Sequence, residues 1–86
     1  MKREIIEIGS PLKNKRASLN ISLEKASSDV KIMQKYLQAL ESEQFDQIPG
    51  DVVIKGFLKI YSDYLGMDSK PFVLEYSRRA GKNSNS

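Results

Sequence analysis

The chain has 86 residues, a length that supports one small domain with a single core. It contains no Cys and no His, which excludes disulfides, a zinc site, a thiolate nucleophile and an imidazole base. With 14 Lys and Arg against 11 Asp and Glu, the net charge is +3, mildly basic but far from a polycation. So short a chain leaves little room for a deep substrate pocket. We therefore expect a binding module that is not an enzyme and uses no metal and no cofactor.

The two ends of the chain carry no membrane signal. No segment approaches the roughly 20 apolar residues that a membrane-spanning helix needs, and the N-terminus is too short and too charged for a signal peptide. We therefore expect this chain itself to be soluble. Small polar residues end the sequence, which predicts a domain over residues 8–79 and a flexible polar linker or tail over residues 80–86. A chain that stops in a linker is expected to be the front end of a longer protein.

Cap and turn signals divide the chain into five predicted helices, with no alternating pattern typical of a strand. The first begins at Ser10-Pro11, where Ser10 is the expected N-cap, and ends near Asn20, a residue that tolerates the left-handed conformation of a helix end. The others are expected over Ser22 to Ser28, Met33 to Glu43, Asp51 (as the cap) to Leu65, and Ser69-Lys70-Pro71 to Arg78-Arg79. The predicted fold class is all-α, a compact five-helix domain.

The second and third predicted helices, joined by a short turn, fit a helix-turn-helix unit. Helical spacing puts four residues of the third helix on one apolar face, which we interpret as core: Met33, Tyr36, Leu37 and Leu40. The last two helices are expected to pack on this repressor-like unit.

If the third helix read DNA, the residues near its start would approach base edges: Lys31, Gln34, Lys35 and Gln38. Two nearby carboxylates, Glu41 and Glu43, offset the two lysines, and we expect both to be solvated. Because DNA affinity depends on a concentrated basic face, this local neutrality argues against a DNA site.

The fourth predicted helix carries two apolar stripes, where a surface helix normally has one. The first stripe is Ile54, Leu58, Tyr61 and Leu65, and the second is Val53, Phe57, Ile60 and Tyr64. The expected polar face is Lys55, Lys59 and Ser62. Either both stripes are buried or one is displayed to a partner, and spacing alone favours burial. Gly56 in mid-helix makes best sense where another backbone packs closely.

Two consecutive runs then resemble a known family. YLQALESEQFDQIPG (residues 36–50) and GFLKIYSDYLGMD (residues 56–68) are similar to the signature of RodZ-type helix-turn-helix domains. Upstream positions fit as well, namely Ile8-Gly9, Leu12, Arg16 and Ser22-Leu23-Glu24. The resemblance covers about residues 8 to 76, whereas generic phage-repressor domains of the Cro type share only the first three helices.

This resemblance implies the head of a bacterial cell-shape protein, on the cytoplasmic side of the inner membrane, followed by a linker, one membrane span and a periplasmic domain absent from this chain. Such heads bind the actin-like protein MreB and tether its filaments to the membrane. The family's contact positions correspond to Val53 and Phe57, although Val53 departs from the commoner aromatic residue. Since both lie on the second stripe, the resemblance favours display of that stripe. Ile60 and Tyr64 would then extend the contact, with Lys55 and Lys59 at its rim. The alternative is a sequence-specific DNA-binding regulator of the repressor type.

Overall fold

The computed structural model describes residues 6–84, with side chains described through Gly81. Over this range the chain forms five α-helices and one 3-10 turn, and no strand. The helices are α1 (Gly9–Ser18), α2 (Leu23–Val30), α3 (Gln34–Ser42), α4 (Asp51–Tyr64) and α5 (Lys70–Ser84), and the 3-10 turn is Phe45–Gln47. The predicted all-α class is confirmed, and α2 and α3 form the helix-turn-helix.

Two helix ends follow the predicted chemistry. The Ser22 side chain accepts a hydrogen bond from the Lys25 amide at 3.0 Å and so caps α2. Asn20 follows α1 with a φ of 60°, the left-handed conformation that asparagine tolerates.

Two predicted caps are wrong. Ser10 lies inside α1, because the helix already begins at Gly9 and the amides of Ile8 and Gly9 donate to the Glu43 carboxylate at 2.8 and 2.9 Å. Asp51 is the first residue of α4 and not its cap. Gly50 holds the cap position with a φ of 99°. The start of α1 could not be predicted locally, because the carboxylate that accepts from its amides comes from Glu43, far along the chain.

The last helix extends further than predicted. Its expected end was Arg79, but α5 continues to Ser84, so the predicted linker of residues 80–86 begins inside the helix. Residues 85–86 lie outside the described part of the chain. The role of this segment as a linker stays a prediction.

The core lies between α1, α3, α4 and α5. It contains the first stripe of α4 together with Ile8 and Leu12 of the N-terminal part, Leu37 and Leu40 of α3, and Phe72 and Tyr76 of α5. Met33 is the exception to the predicted α3 face, because its side chain is 59% exposed. It occupies the N-cap of α3, before the first turn, so the helical spacing does not apply to it.

Both predictions of solvated carboxylates are wrong. Glu41 is buried and accepts hydrogen bonds from Arg16 Nε at 2.7 Å and from the Tyr61 hydroxyl at 2.5 Å. Arg16 also donates to the Ile21 carbonyl at 2.9 Å. Glu43 accepts a hydrogen bond from the Arg79 guanidinium at 2.8 Å, in addition to those from the amides of Ile8 and Gly9. These two acids hold α1, α4 and α5 against α3, and the sequence does not show partners that are 20 or more residues away.

Close backbone packing occurs at Gly9, not at Gly56. A methyl group built on Gly9 would overlap the carbonyl oxygen of Glu41, so α1 crosses α3 where only glycine fits. Gly56 is exposed, and, apart from its chain neighbours and the backbone of its own helix, no described atom lies within 4 Å of the position a β-carbon would take. Ser62 also differs from expectation, because it is fully buried on the core side of α4.

Candidate partner-binding face of the fourth helix

The two apolar stripes of α4 have different surroundings. All four residues of the first stripe are at most 3% exposed. In the second stripe Val53 is 36% and Ile60 46% exposed, while Phe57 and Tyr64 are half-buried. We call this second stripe the outer face of α4 (Val53, Phe57, Ile60 and Tyr64). The expectation from spacing that both stripes are buried is therefore wrong, because this five-helix domain covers only one side of α4.

Phe57 joins the outer face to the start of α3. Its ring lies 5.7 Å from the ring of Tyr36, measured between centroids, and is tilted by 34°. The ammonium of Lys35 lies over the Tyr36 ring, 5.3 Å from its centre. Phe57 is thus oriented by its neighbours and presents only part of its ring to solvent.

Tyr64 fixes the other end of the outer face. Its hydroxyl donates to Asp29 Oδ2 on α2 at 2.5 Å, and Asp29 is also paired with Lys25 at 3.1 Å. The hydrogen bond from Tyr64, followed by that from Lys25, lowers the pKa of Asp29, and the same bond raises the pKa of Tyr64. The α2 helix therefore holds the aromatic ring in place beside Ile60.

The two predicted rim lysines differ. Lys59 is exposed and bridges Asp63 at 3.3 Å, one turn further along α4. Lys55 is half-buried and has no ion pair within the described residues. Of these two lysines, only Lys55 therefore offers a positive charge without an ion pair among the described residues.

Val52 belongs to the same surface, although the sequence reasoning did not single it out. It is 83% exposed in the first turn of α4. The signal was present in the sequence, since Val52, Gly56 and Ile60 are spaced by four residues and so follow one another along the helix surface.

The alternative DNA-reading residues are also accessible. Gln34, Lys35 and Gln38 are exposed on α3, and Lys31 is exposed at the end of α2, in the turn before α3. The expectation that Glu41 and Glu43 neutralise the lysines is wrong, because Arg16 and Arg79 pair with these carboxylates elsewhere. The edge of α3 is therefore more basic than the sequence count indicated.

Two kinds of site do not occur in the described part of the chain. Within residues 6–84 no three potential metal-ligating side chains come together. No helix in the same range is both long and apolar enough to cross a bilayer.

The helix order and the α2–α3 turn define a helix-turn-helix protein. A family model described as "Helix-turn-helix domain" matches residues 11–72, so the chain belongs to that family. The chain is also similar to the "Uncharacterized membrane protein YmfM" of Bacillus subtilis (strain 168), with 33% identity over 58 residues. The match covers 67% of this chain and 20% of the relative, so the matched segment spans about one fifth of that protein. Comparison with solved structures gave no significant match.

Proposed function

We propose that this domain is an adaptor head that binds the actin-like protein MreB through the outer face of α4, and that it links MreB filaments to the bacterial inner membrane. The observation that carries the proposal is the exposure of Val53 and Ile60 on a helix whose other apolar stripe already supplies the core. An apolar strip that the fold does not bury is typical of a protein-binding surface. The resemblance of residues 36–68 to RodZ-type domains supplies the identity of the partner.

The membrane part of the proposal has separate support. The relative in Bacillus subtilis is named a membrane protein, and this chain matches only 20% of its length. A membrane span elsewhere in a longer protein would then hold the head at the cytoplasmic surface. In this arrangement the domain itself needs no membrane contact.

Matched alanine substitutions test the partner site. Ile60→Ala removes a side chain that is 46% exposed on the outer face, and Leu19→Ala removes one that is 45% exposed after α1. We expect Ile60→Ala to weaken MreB binding by more than about 1 kcal/mol, as for an interface anchor, while Leu19→Ala leaves it unchanged. Biolayer interferometry with purified MreB measures both affinities, and circular dichroism verifies folding. Equal affinities for the two variants and wild type would contradict the proposal.

Phe57→Ala is the second test, and we expect it also to weaken MreB binding by more than 1 kcal/mol. Because Phe57 packs on Tyr36, this variant requires a parallel measurement of stability. An affinity loss that accompanies an intact helical spectrum supports a direct contact.

The second candidate function is binding of duplex DNA. Two observations favour it: Lys31, Gln34, Lys35 and Gln38 are exposed, and Glu41 and Glu43 pair with Arg16 and Arg79 and so do not neutralise the lysines. A salt titration of binding to duplex DNA distinguishes the two functions. A steep salt dependence together with sequence preference would favour the regulator, because it reports several phosphate contacts plus base reading. Weak binding that ignores sequence would favour the adaptor.

A further inference from the structure

Gly56 lies at the centre of the exposed side of α4. On a helix the surface neighbours of a residue are those three and four positions away. For Gly56 these are Val52, Val53, Lys59 and Ile60, and the three apolar ones are 83%, 36% and 46% exposed. The glycine therefore forms a dip in the middle of an apolar ridge, with open space above it.

Nothing in the described part of the domain requires a glycine here. Gly56 lies in the interior of α4, and its φ is not among the positive ones. Alanine would have room and would stabilise the helix, because glycine is one of the poorest helix-forming residues. By contrast, Gly9 is needed inside the fold, where the backbone of α3 leaves no room for a β-carbon.

We infer that Gly56 is the point where an α-helix of the binding partner crosses α4 at close range. This inference rests on the proposed function, since it concerns the same surface. Helices normally pack with their axes 8–10 Å apart, at a distance that the contacting side chains set, and small residues let two backbones approach more closely. Val52, Val53 and Ile60 would then flank the crossing helix, with Gly56 beneath it.

The charges favour a partner with an acidic edge over a second copy of this chain. Lys55 lies next to Gly56 in sequence and has no ion pair within the described residues. On the exposed side of α4, Asp63 is already paired with Lys59, and Asp51 accepts from the Tyr76 hydroxyl at 2.6 Å. Through the same face of α4, a second copy would therefore bring another lysine without an ion pair and two carboxylates that already have partners. A carboxylate at the edge of the partner helix would instead pair with Lys55.

Two glycine substitutions separate this role from helix stability. Gly56→Ala and Gly81→Ala each place a methyl group in open space on a helix, α4 in one case and α5 in the other. We expect Gly56→Ala to raise the melting temperature by about 4 to 8 °C and yet to weaken MreB binding about tenfold, because the methyl group forces the two helices apart. Gly81→Ala should leave MreB affinity unchanged. Gly56→Leu should weaken binding further than Gly56→Ala.

The outcomes distinguish the two proposals. If Ile60→Ala and Phe57→Ala weaken MreB binding but Gly56→Ala does not, the close crossing is refuted and the adaptor function stands. If none of the three changes the affinity, or wild-type protein does not bind MreB, the adaptor function fails and the crossing with it. A lower melting temperature for Gly56→Ala would contradict the open space above the glycine.

Analytical ultracentrifugation tests the other possible occupant. If the wild-type protein is a dimer that Gly56→Ala converts to a monomer, the helix that crosses at Gly56 belongs to a second copy of this chain and the inference is wrong.

Discussion

Glu41 is the residue on which three helices depend. Its carboxylate lies in the interior on α3, where it accepts hydrogen bonds from two of the three Arg16 side-chain nitrogens at 2.7 and 3.0 Å and from the Tyr61 hydroxyl at 2.5 Å. Both ionic partners are largely buried, with side chains 13% and 5% exposed for Arg16 and Glu41. In such a pair each charge needs the other, because neither can be solvated alone. Burial and the bond to Glu41 also raise the pKa of Tyr61, so its hydroxyl remains a donor.

Removing this carboxylate should be costly. We expect Glu41→Ala to lower the free energy of unfolding by about 3 kcal/mol, since it leaves the Arg16 charge buried without a partner. Urea denaturation followed by circular dichroism measures the change. Lys25→Ala is the control, because it breaks an exposed pair with Asp29 and should have little effect. Similar losses in the two variants would show that burial does not set the strength of the Glu41 pair.

At the scale of elements, two carboxylates organise α5: Glu75 forms ion pairs within the helix, and Glu43 forms one that joins α5 to the end of α3. Glu75 accepts from Arg78 and Arg79, each at 2.7 Å, and these bonds lower its pKa to about 2. Burial raises the pKa of Glu43, but the hydrogen bonds from the Gly9 amide and Arg79 outweigh it, and the net pKa is lowered. Both acids are therefore more readily ionised in the folded domain than in the unfolded chain.

Acid should accordingly loosen α5. The folded-state pKa values lie below the ordinary glutamate value of 4.5, so this stabilisation is complete above that pH and is lost as the pH falls towards about 2. We expect the unfolding free energy of wild type to decline over this window and Glu75→Gln to make the decline shallower. Urea denaturation at a series of pH values between 2 and 7 measures the slopes. Parallel slopes for the two proteins would contradict the assignment to Glu75.

The elements were more predictable than their contacts. Cap and turn signals located all five helices. Apolar spacing identified the two stripes of α4, because periodicity reports which residues share one face of a helix. It could not place Glu41, Glu43 or Ser62, since each polar residue looks solvent-exposed until its distant partner or covering helix is known. The outer face of α4 was ambiguous for the same reason. The sequence showed two apolar stripes, and the packing of α2, α3 and α5 on α4 decides which one is covered.

At the scale of the whole molecule, Arg79 ties together distant parts of the chain. Its guanidinium donates to Glu75 on α5, to Glu43 at the end of α3 and to the carbonyl of Ile6 before α1, all at 2.7 to 2.8 Å. The contact with Ile6 spans 73 positions. One side chain therefore holds the first described residue beside the last helix.

The neighbouring arginine provides a matched comparison. We expect Arg79→Ala to destabilise the domain by about 2 kcal/mol, because it leaves Glu43 with fewer partners and frees the segment before α1. Arg78→Ala should change the melting temperature little, since Arg78 is 62% exposed and pairs only with Glu75 among the contacts described. Differential scanning calorimetry compares the two. An equal loss from both would mean that Arg79 acts only within α5.

The position of Arg79 also determines how the domain would carry a mechanical load. Tension applied at the C-terminal end of α5 reaches the ion pairs of Arg79 before it reaches Phe72 and Tyr76, which lie deeper along the same helix. The ion pair with Glu43 joins α5 to the end of α3, and the hydrogen bond to the Ile6 carbonyl joins it to the segment before α1; neither reaches the outer face of α4. If the domain were bound to a filament through α4 and pulled through α5, α5 would therefore detach first. The binding face on α4 would still be intact at that point.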